Sequence, residues 1–419
     1  RDVAAFMDSW LEQPGYPVLT AVVENDTLKI SQKQFFIGEH EDQGRQWVVP
    51  LNSNWSGIPD TLETETLEIP GYAALAAENS EPLRFNTENT AHYITDYQGE
   101  LLDAIVDNMA SLDNLSKQQI LQERRLLAES GVISYASLLP VIEKLTQETS
   151  YLVVSAVSSI LQGLSLFVDE GTEVEAAYKK LLVTFNQFNF ERLGFEPKAG
   201  EADEDEMVRQ LVISNMIKGD DAKASAKASE IYAAHADDIS KLPAAIRLQI
   251  LINQIKHHES KELTDLYLNT YAQATDGNFK RQLSTALAYT TDADTVEKIL
   301  TEWKNKDVVK PQDLAMSWYF TFLHHEFTQE SAWTWARENW EWVKAALGGD
   351  MSFDKFVIYP ANTFKTAERL AEFKAFFEPQ LSDMAISRNI SMGIKEIAAR
   401  VDLIQREKAA VEAAILATK

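Results

Sequence analysis

The sequence predicts a mixed but mostly α-helical fold, in which a small β-sandwich precedes a large α-helical solenoid. Three observations carry that expectation. Short segments of period-two patterning, separated by turn residues, fill Pro17 to Tyr97; helical periodicity runs from Gly99 to the end; and 419 residues exceed what one ordinary hydrophobic core holds together. The organisation expected is a helix end over 1–16, a β-sandwich over 17–98 and a helical domain over 99–419.

In chain order, Val3, Phe6, Met7 and Trp10 share a helix face, and Gln13-Pro14-Gly15-Tyr16-Pro17 stops that helix. A helix so short needs something to pack on. The chain starts at Arg1 with neither an initiator Met nor a charged-then-apolar leader, so the sequence predicts a segment upstream. Strands are then expected at 17–23, 28–37, 46–51, 66–69, 83–86 and 91–97, divided by turns such as Glu24-Asn25-Asp26, Gly57-Ile58-Pro59-Asp60 and Pro70-Gly71. Within the last, Ala91, Tyr93, Thr95 and Tyr97 alternate with His92, Ile94 and Asp96, which predicts a half-buried strand.

Past Gly99, Ser116-Lys117-Gln118-Gln119 reads as a capping box and Gly131 as the stop of the helix it opens. Further helices are expected at 138–148, 151–167, 172–188, 206–218, 221–235, 242–257 and 261–274, and onward to the terminus. Short connections between so many amphipathic helices imply antiparallel neighbours stacked in a curved solenoid, irregular as in HEAT or armadillo-like folds because no fixed-period consensus occurs. Trp333, Ala336, Trp340, Val343 and Leu347 form one stripe, with Trp335 and Trp342 beside it, and core packing is their expected role. In the last helix Ile386, Ile390, Ile394, Ile397, Val401 and Ile404 make the apolar stripe, flanked by Lys395, Glu396, Arg400, Arg406 and Glu407.

Composition narrows function. A net charge of -25 without a basic cluster in the sequence repels phosphate backbones and argues against nucleic acid as a partner. Apolar stretches such as Tyr151 to Phe167 are interrupted and short, so no membrane anchor is expected. The absence of cysteine excludes disulfides and thiolate chemistry and fits the cytoplasm. Metal chemistry also fails at the level of spacing. His325-Glu326-Phe327-Thr328-Gln329 has Gln where a second imidazole on the same helix face is needed, and His258-Glu259-Ser260-Lys261-Glu262 fails at the same place. No serine elbow and no phosphate-binding glycine loop is present. The acidic run Glu201 to Glu206 reads as a solvated loop favouring the helix N-terminus that follows. The residues therefore predict no catalytic, cofactor-binding or metal site in this chain.

Trp10-Leu11-Glu12-Gln13-Pro14-Gly15-Tyr16-Pro17-Val18 resembles the segment that closes the catalytic domain and opens the β-sandwich in the aminopeptidase N family of zinc metallopeptidases. The likeness continues in order. Gln32-Lys33-Gln34-Phe35 and Trp47-Val48-Val49-Pro50-Leu51 are similar to two of the family's strands. Asn86 through Tyr97 falls where the family writes Asn, a turn and a Tyr-rich strand; Gln34 and Thr95 depart from its arginine-bearing form, as a bacterial subfamily would. Ser116 to Gly131 resembles its first helical repeat. Leu193-Gly194-Phe195 with Glu204-Asp205 and Arg209, Trp333-Thr334-Trp335 with Glu338-Asn339-Trp340, and Thr363-Phe364-Lys365-Thr366 with Phe376-Phe377 match later helices.

The resemblance implies that residues 1–16 end an upstream catalytic domain, and that the chain is the C-terminal, non-catalytic region of an enzyme releasing N-terminal amino acids from peptides. Its zinc, its substrate-gripping motif and its transition-state tyrosine would all lie upstream, in a catalytic half of the same polypeptide that would be this chain's partner. This fragment, forming the wall or lid of the peptide chamber, would be inactive alone. The rival reading is a free-standing α-solenoid adaptor that binds protein partners along a concave face. An unrecognised hydrolase has no motif in its favour.

Overall fold

Val18, Leu19, Ala21, Val22 and Val23 follow Pro17, whose fixed φ and missing N–H suit the first residue of a strand, and the segment forms β1 (Pro17–Glu24). The structure, a computed structural model, describes residues 3–38 and 40–418. Among these residues the later strands are β2 (Thr27–Gln34), β3 (Val49–Pro50), β4 (Thr61–Leu62), β5 (Thr66–Pro70) and β6 (Ile94–Tyr97). Asn25 (φ 49°) and Asp26 (φ 60°), two residue types that accept the left-handed conformation, return the chain so that β1 and β2 pair antiparallel. β5 adds antiparallel to β2 and β6 parallel to β1, giving the order β5-β2-β1-β6, while β3 and β4 make a separate ladder. Val18, Phe35 and Ile94 meet Leu127 of the helix Asn114–Glu129 in one core cluster.

Several strand expectations are corrected. Leu83–Asn86 is not a strand: Asn86 is left-handed (φ 51°), which breaks an extended run, and the segment is tied instead by Arg84 N to Asn54 Oδ1 (2.7 Å) and Asn86 N to Leu51 O (2.9 Å). Most of Gln46–Leu51 is irregular too. The amide of buried Gln32 replaces a ladder there, donating to Trp47 O (2.9 Å) and Thr64 O (2.9 Å) and accepting from Trp47 N (2.8 Å). In 91–97 only Ile94–Tyr97 is a strand, and all four residues are buried rather than alternating, because the helix Asn114–Glu129 covers one face. A short helix, Tyr72–Ala77, follows left-handed Gly71 and had no sequence signal.

From Glu100 onward the elements among the described residues are helices. The cap of Asn114–Glu129 is Asp113, which accepts from Ser116 N (3.0 Å), so the capping box is displaced by three residues; Gly131 (φ 75°) ends the helix as expected. Residues 138–148 form short turns around Pro140 instead of one helix. The tryptophan-rich stretch is two helices, Glu326–Glu338 and Trp340–Leu347, hinged at Asn339. In the last helix, Ser387–Ala417, the buried line is Ile390, Gly393, Ile397, Leu403, Val411 and Ile415, with Ile394, Val401 and Ile404 only half-buried. Gly393 draws that helix onto Phe373 and Ala361, where a side chain would not fit. Two residues assigned to its polar sides turn inward: Arg400 donates to Ala361 O (2.8 Å) and Phe364 O (2.7 Å), and Glu407 accepts from Ser134 Oγ (2.6 Å) and Tyr135 N (3.2 Å).

Two compact units emerge. One comprises residues 1–189 with 406–419 and holds the strands and the first helices; the other is 190–405 and is helical. The change from strand to helix at Gly99 and the division into units thus fall at different places.

Candidate functional site

Neither His-Glu pair is a metal centre in space. His325 precedes the helix Glu326–Glu338, its ring lies against Tyr289 (centroids 4.0 Å apart), and Gln329 turns back to donate to Leu323 O (2.8 Å). His258 meets Ser229 Oγ (3.1 Å), while Glu259 accepts from Thr291 N (3.1 Å) and from the Thr290 and Thr291 hydroxyls. Among the described residues no three His, Asp or Glu side chains are grouped to hold a metal ion. These residues do not fit zinc.

The acidic run is less solvated than expected. Asp205 is buried, pairs with Arg192 (2.6 Å) and accepts from Ala202 N (2.9 Å), while Glu201 pairs with buried Arg209. Of the remaining acids, Asp203 and Glu206 face solvent and Glu204 is half-buried. The run is mostly a clasp between the loop and the helix Asp205–Lys218, not a cation site.

Around a stretch of π-helix the helical unit shows a different surface. Leu314–Tyr319 is wound as a π-helix, a conformation often found where function displaces a residue from the regular spiral. Its outward side exposes Met316, and Phe320 follows; Tyr359 donates to Met316 Sδ (3.2 Å), and Phe320 packs edge-on to Tyr359 (4.9 Å) and tilted on His324 (4.3 Å). His324 is fixed by Phe320 O (2.7 Å) on one nitrogen and Thr363 Oγ1 (3.4 Å) on the other. Next to it is His325. Lys218 acts electrostatically on His325, and Lys256, held by Ile217 O (2.9 Å) and Asp220, acts on Lys218. Met316 and Phe320 are open to solvent, and Phe320 packs beside His324 within residues 190–405. A separate cavity of about 460 Å³, lined by Asp237, Asp238, Leu266, Thr270, Asp276 and Phe279, offers less. There Asp238 and Asp276 are engaged in capping backbone N–H groups.

Residues 83–399 match the family described as the ERAP1-like C-terminal domain. Aminopeptidase N of Lactococcus lactis subsp. lactis is 57% identical over 416 residues, covering 99% of this chain and 49% of the relative. The chain belongs to the aminopeptidase N family, of which it is the C-terminal half. Aminopeptidase N of Lactobacillus helveticus is 40% identical over 415 residues (99% of this chain, 49% of the relative), and Aminopeptidase M1 of Arabidopsis thaliana 24% over 421 residues (94% and 47%). The chain spans about half the length of the relatives it matches.

The aminopeptidase N resemblance now has physical content. In Trp10–Val18, the Trp10 indole donates to Val48 O (3.0 Å), Gln13 Nε2 to Ser9 O (2.8 Å) and Gln46 O (2.7 Å), and Tyr16 stacks on Phe35 (5.4 Å). The motif therefore pins the helix Val3–Leu11 to the strand region. Gln34, where the family has arginine, donates to Pro14 O (3.2 Å) and accepts from Arg45 (3.1 Å), so an arginine from elsewhere reaches the same place. The grouping of Met316, Phe320, His324 and Tyr359 has no such motif: its residues come from separate segments and only the fold assembles them.

One buried acid carries a pH prediction. Glu123 lies under β6, accepting from Thr95 N (3.2 Å) and Gln119 Nε2 (2.9 Å); burial nevertheless pushes its carboxyl up to about 8. A carboxyl raised above its unfolded value favours the fold most when protonated, so its contribution is full below the ordinary glutamate range and is lost as pH rises toward 8. Chemical-denaturation midpoints are expected to fall between pH 5.5 and pH 8.5, and Glu123→Gln should flatten that dependence. A variant as pH-dependent as the parent would refute the assignment.

Proposed function

We propose that this chain is the non-catalytic half of an aminopeptidase that releases N-terminal amino acids from peptides, and that its helical unit forms a wall or lid of the chamber in which the peptide is held. The observation that carries the reading is the match over 99% of the chain to aminopeptidase N proteins twice its length. Support comes from the Trp10–Val18 junction, which ties a short helix to the strand region. On this reading zinc and the catalytic residues reside in the other half of the polypeptide, the helices stack as a solenoid, and the enzyme acts in the cytoplasm. Among the described residues no helix is long and apolar enough to cross a membrane. The chamber wall contributes by excluding water and holding one register, effects that need no nucleophile or metal from this half.

The direct test is zinc content and amino-acid release by the chain alone and with the catalytic half. Background zinc after dialysis and no release by the chain alone are expected, with release on adding the other half. One zinc per chain retained through dialysis, or turnover by the chain alone, would overturn the assignment.

A further inference from the structure

The eight methionines are the sulfur-bearing side chains of this sequence, which has no cysteine to compete with them for an oxidant. Two are almost wholly exposed, Met351 at 92% and Met384 at 93%, while Met7, Met207, Met316 and Met392 lie between 37% and 51%, and Met109 and Met216 are buried. Methionine ordinarily fills gaps in apolar cores, so two that pack on almost nothing stand apart. The turns that carry them are built alike. In Asp350-Met351-Ser352-Phe353 the Asp350 carboxylate accepts from Ser352 N (2.7 Å) and the Asp350 carbonyl from Phe353 N (3.1 Å). In Asp383-Met384-Ala385-Ile386 the Asp383 carboxylate accepts from Ala385 N (3.0 Å) and its carbonyl from Ile386 N (3.2 Å). Each methionine thus sits at the second position of a closed turn whose fourth residue, Phe353 or Ile386, is buried and anchors it. The fold also links the two turns. Phe353 stacks on Trp340 (5.4 Å), the Trp340 indole donates to Gln380 Oε1, and Gln380 O accepts from Asp383 N (2.9 Å). Met316 differs, because its sulfur already accepts from the Tyr359 hydroxyl (3.2 Å).

We propose that Met351 and Met384 are sites of two-electron oxidation by hydroperoxides, taking up the oxidant ahead of the other methionines and without loss of the fold. The thioether sulfur attacks the distal oxygen of the hydroperoxide ROOH. An S–O bond forms, the O–O bond breaks, and the proton of the distal oxygen passes to the departing oxygen to give ROH, which is water when the oxidant is hydrogen peroxide. Sulfur gives up two electrons in becoming the sulfoxide, and the peroxide takes them. Access to solvent governs which sulfur reacts first, and a polar sulfoxide harms a protein where it replaces apolar packing. Here the packing belongs to Phe353 and Ile386, the anchors of the turns, so the new oxygen meets water and the core beside Trp340 keeps its contacts.

The test is peptide mass spectrometry of the 419-residue chain after treatment with hydrogen peroxide, sampled over time. Sulfoxide at Met351 and Met384 should form roughly twofold faster than at Met207, Met316 and Met392, in line with exposure, and at least about tenfold faster than at Met109 and Met216. The urea midpoint of the chain oxidised at these two residues should equal that of the untreated chain. Given a limiting dose of about two equivalents, the double variant Met351→Leu with Met384→Leu should carry about twice the sulfoxide on its other methionines, because the preferred acceptors are gone. The order of reaction should be the same with the catalytic half added. Equal rates at Met351, Met384, Met207 and Met392 would overturn the proposal, as would a midpoint lowered by oxidation of these two residues. So would a double variant whose other methionines are oxidised no more than the parent's, or protection of either residue by the catalytic half.

Discussion

Trp333→Ala is expected to cost about 3–5 kcal/mol, the range for removing a large buried aromatic and leaving its cavity. Trp333 is fully buried, and its ring is enclosed by Phe364 (5.2 Å), Phe376 (5.6 Å) and Phe377 (5.9 Å), with the Arg337 guanidinium over one face (5.1 Å). Its indole N–H donates to Glu372 (2.9 Å), which Arg369 also engages (2.7 Å). The substitution therefore opens a void and removes a polar link between the helices Glu326–Glu338 and Ala367–Phe377. Trp333→Phe refills part of the volume and leaves Glu372 its arginine, so it should be distinctly milder. Urea denaturation followed by far-ultraviolet circular dichroism measures both. A loss under about 1 kcal/mol for the alanine variant would show that this cluster does not organise the helical unit.

Asn86→Ala is the second large effect, expected at about 2–4 kcal/mol from left-handed strain plus hydrogen bonds left unmade. Asn86 is completely buried with φ 51°; its Oδ1 accepts from Thr90 N (3.0 Å) and Ala91 N (2.9 Å), and its Nδ2 donates to Ala91 O (2.8 Å). That side chain folds the loop which delivers Tyr93 to Leu51 O (2.7 Å) and starts β6. Asn86→Gly relieves the strain without restoring the bonds, so it should fall between parent and alanine variant. Glycine and alanine variants of equal stability would remove the backbone term from the explanation.

How much of this was legible in the sequence depends on where the information lies. The hairpin at Asn25-Asp26, the strand at Pro17 and the helices from Tyr151 to Gln273 are written locally, in turn chemistry, caps and 3.6-residue periodicity, and they were read to within a few residues. Leu83–Asn86 misled because its alternation of Leu83 and Phe85 with polar residues serves burial in an irregular loop, and alternation alone does not distinguish that from a strand. The cap at Asp113 was missed because Ser116 three residues on offers the same chemistry, and the geometry favoured the carboxylate. In the last helix the isoleucine stripe is the stronger sequence signal, and Gly393, whose lack of a side chain decides which face docks, carries none. Arg400 and Glu407 looked like surface charges because the carbonyls and N–H groups that satisfy them are supplied by remote segments. The absence of His-x-x-x-His spacing is plain from sequence, while the contact of Tyr289 with His325 joins two separated segments and leaves no pattern in either.

The measurement closest to the central claim is kcat/KM for an unblocked tetrapeptide and for a single aminoacyl amide, each with the catalytic half alone and with this chain added. Only the peptide extends far enough to touch a wall. The chamber-wall role predicts that adding the chain raises kcat/KM for both substrates and raises it more for the tetrapeptide. Values for the tetrapeptide that are the same with and without the chain would contradict that role and favour a free-standing adaptor.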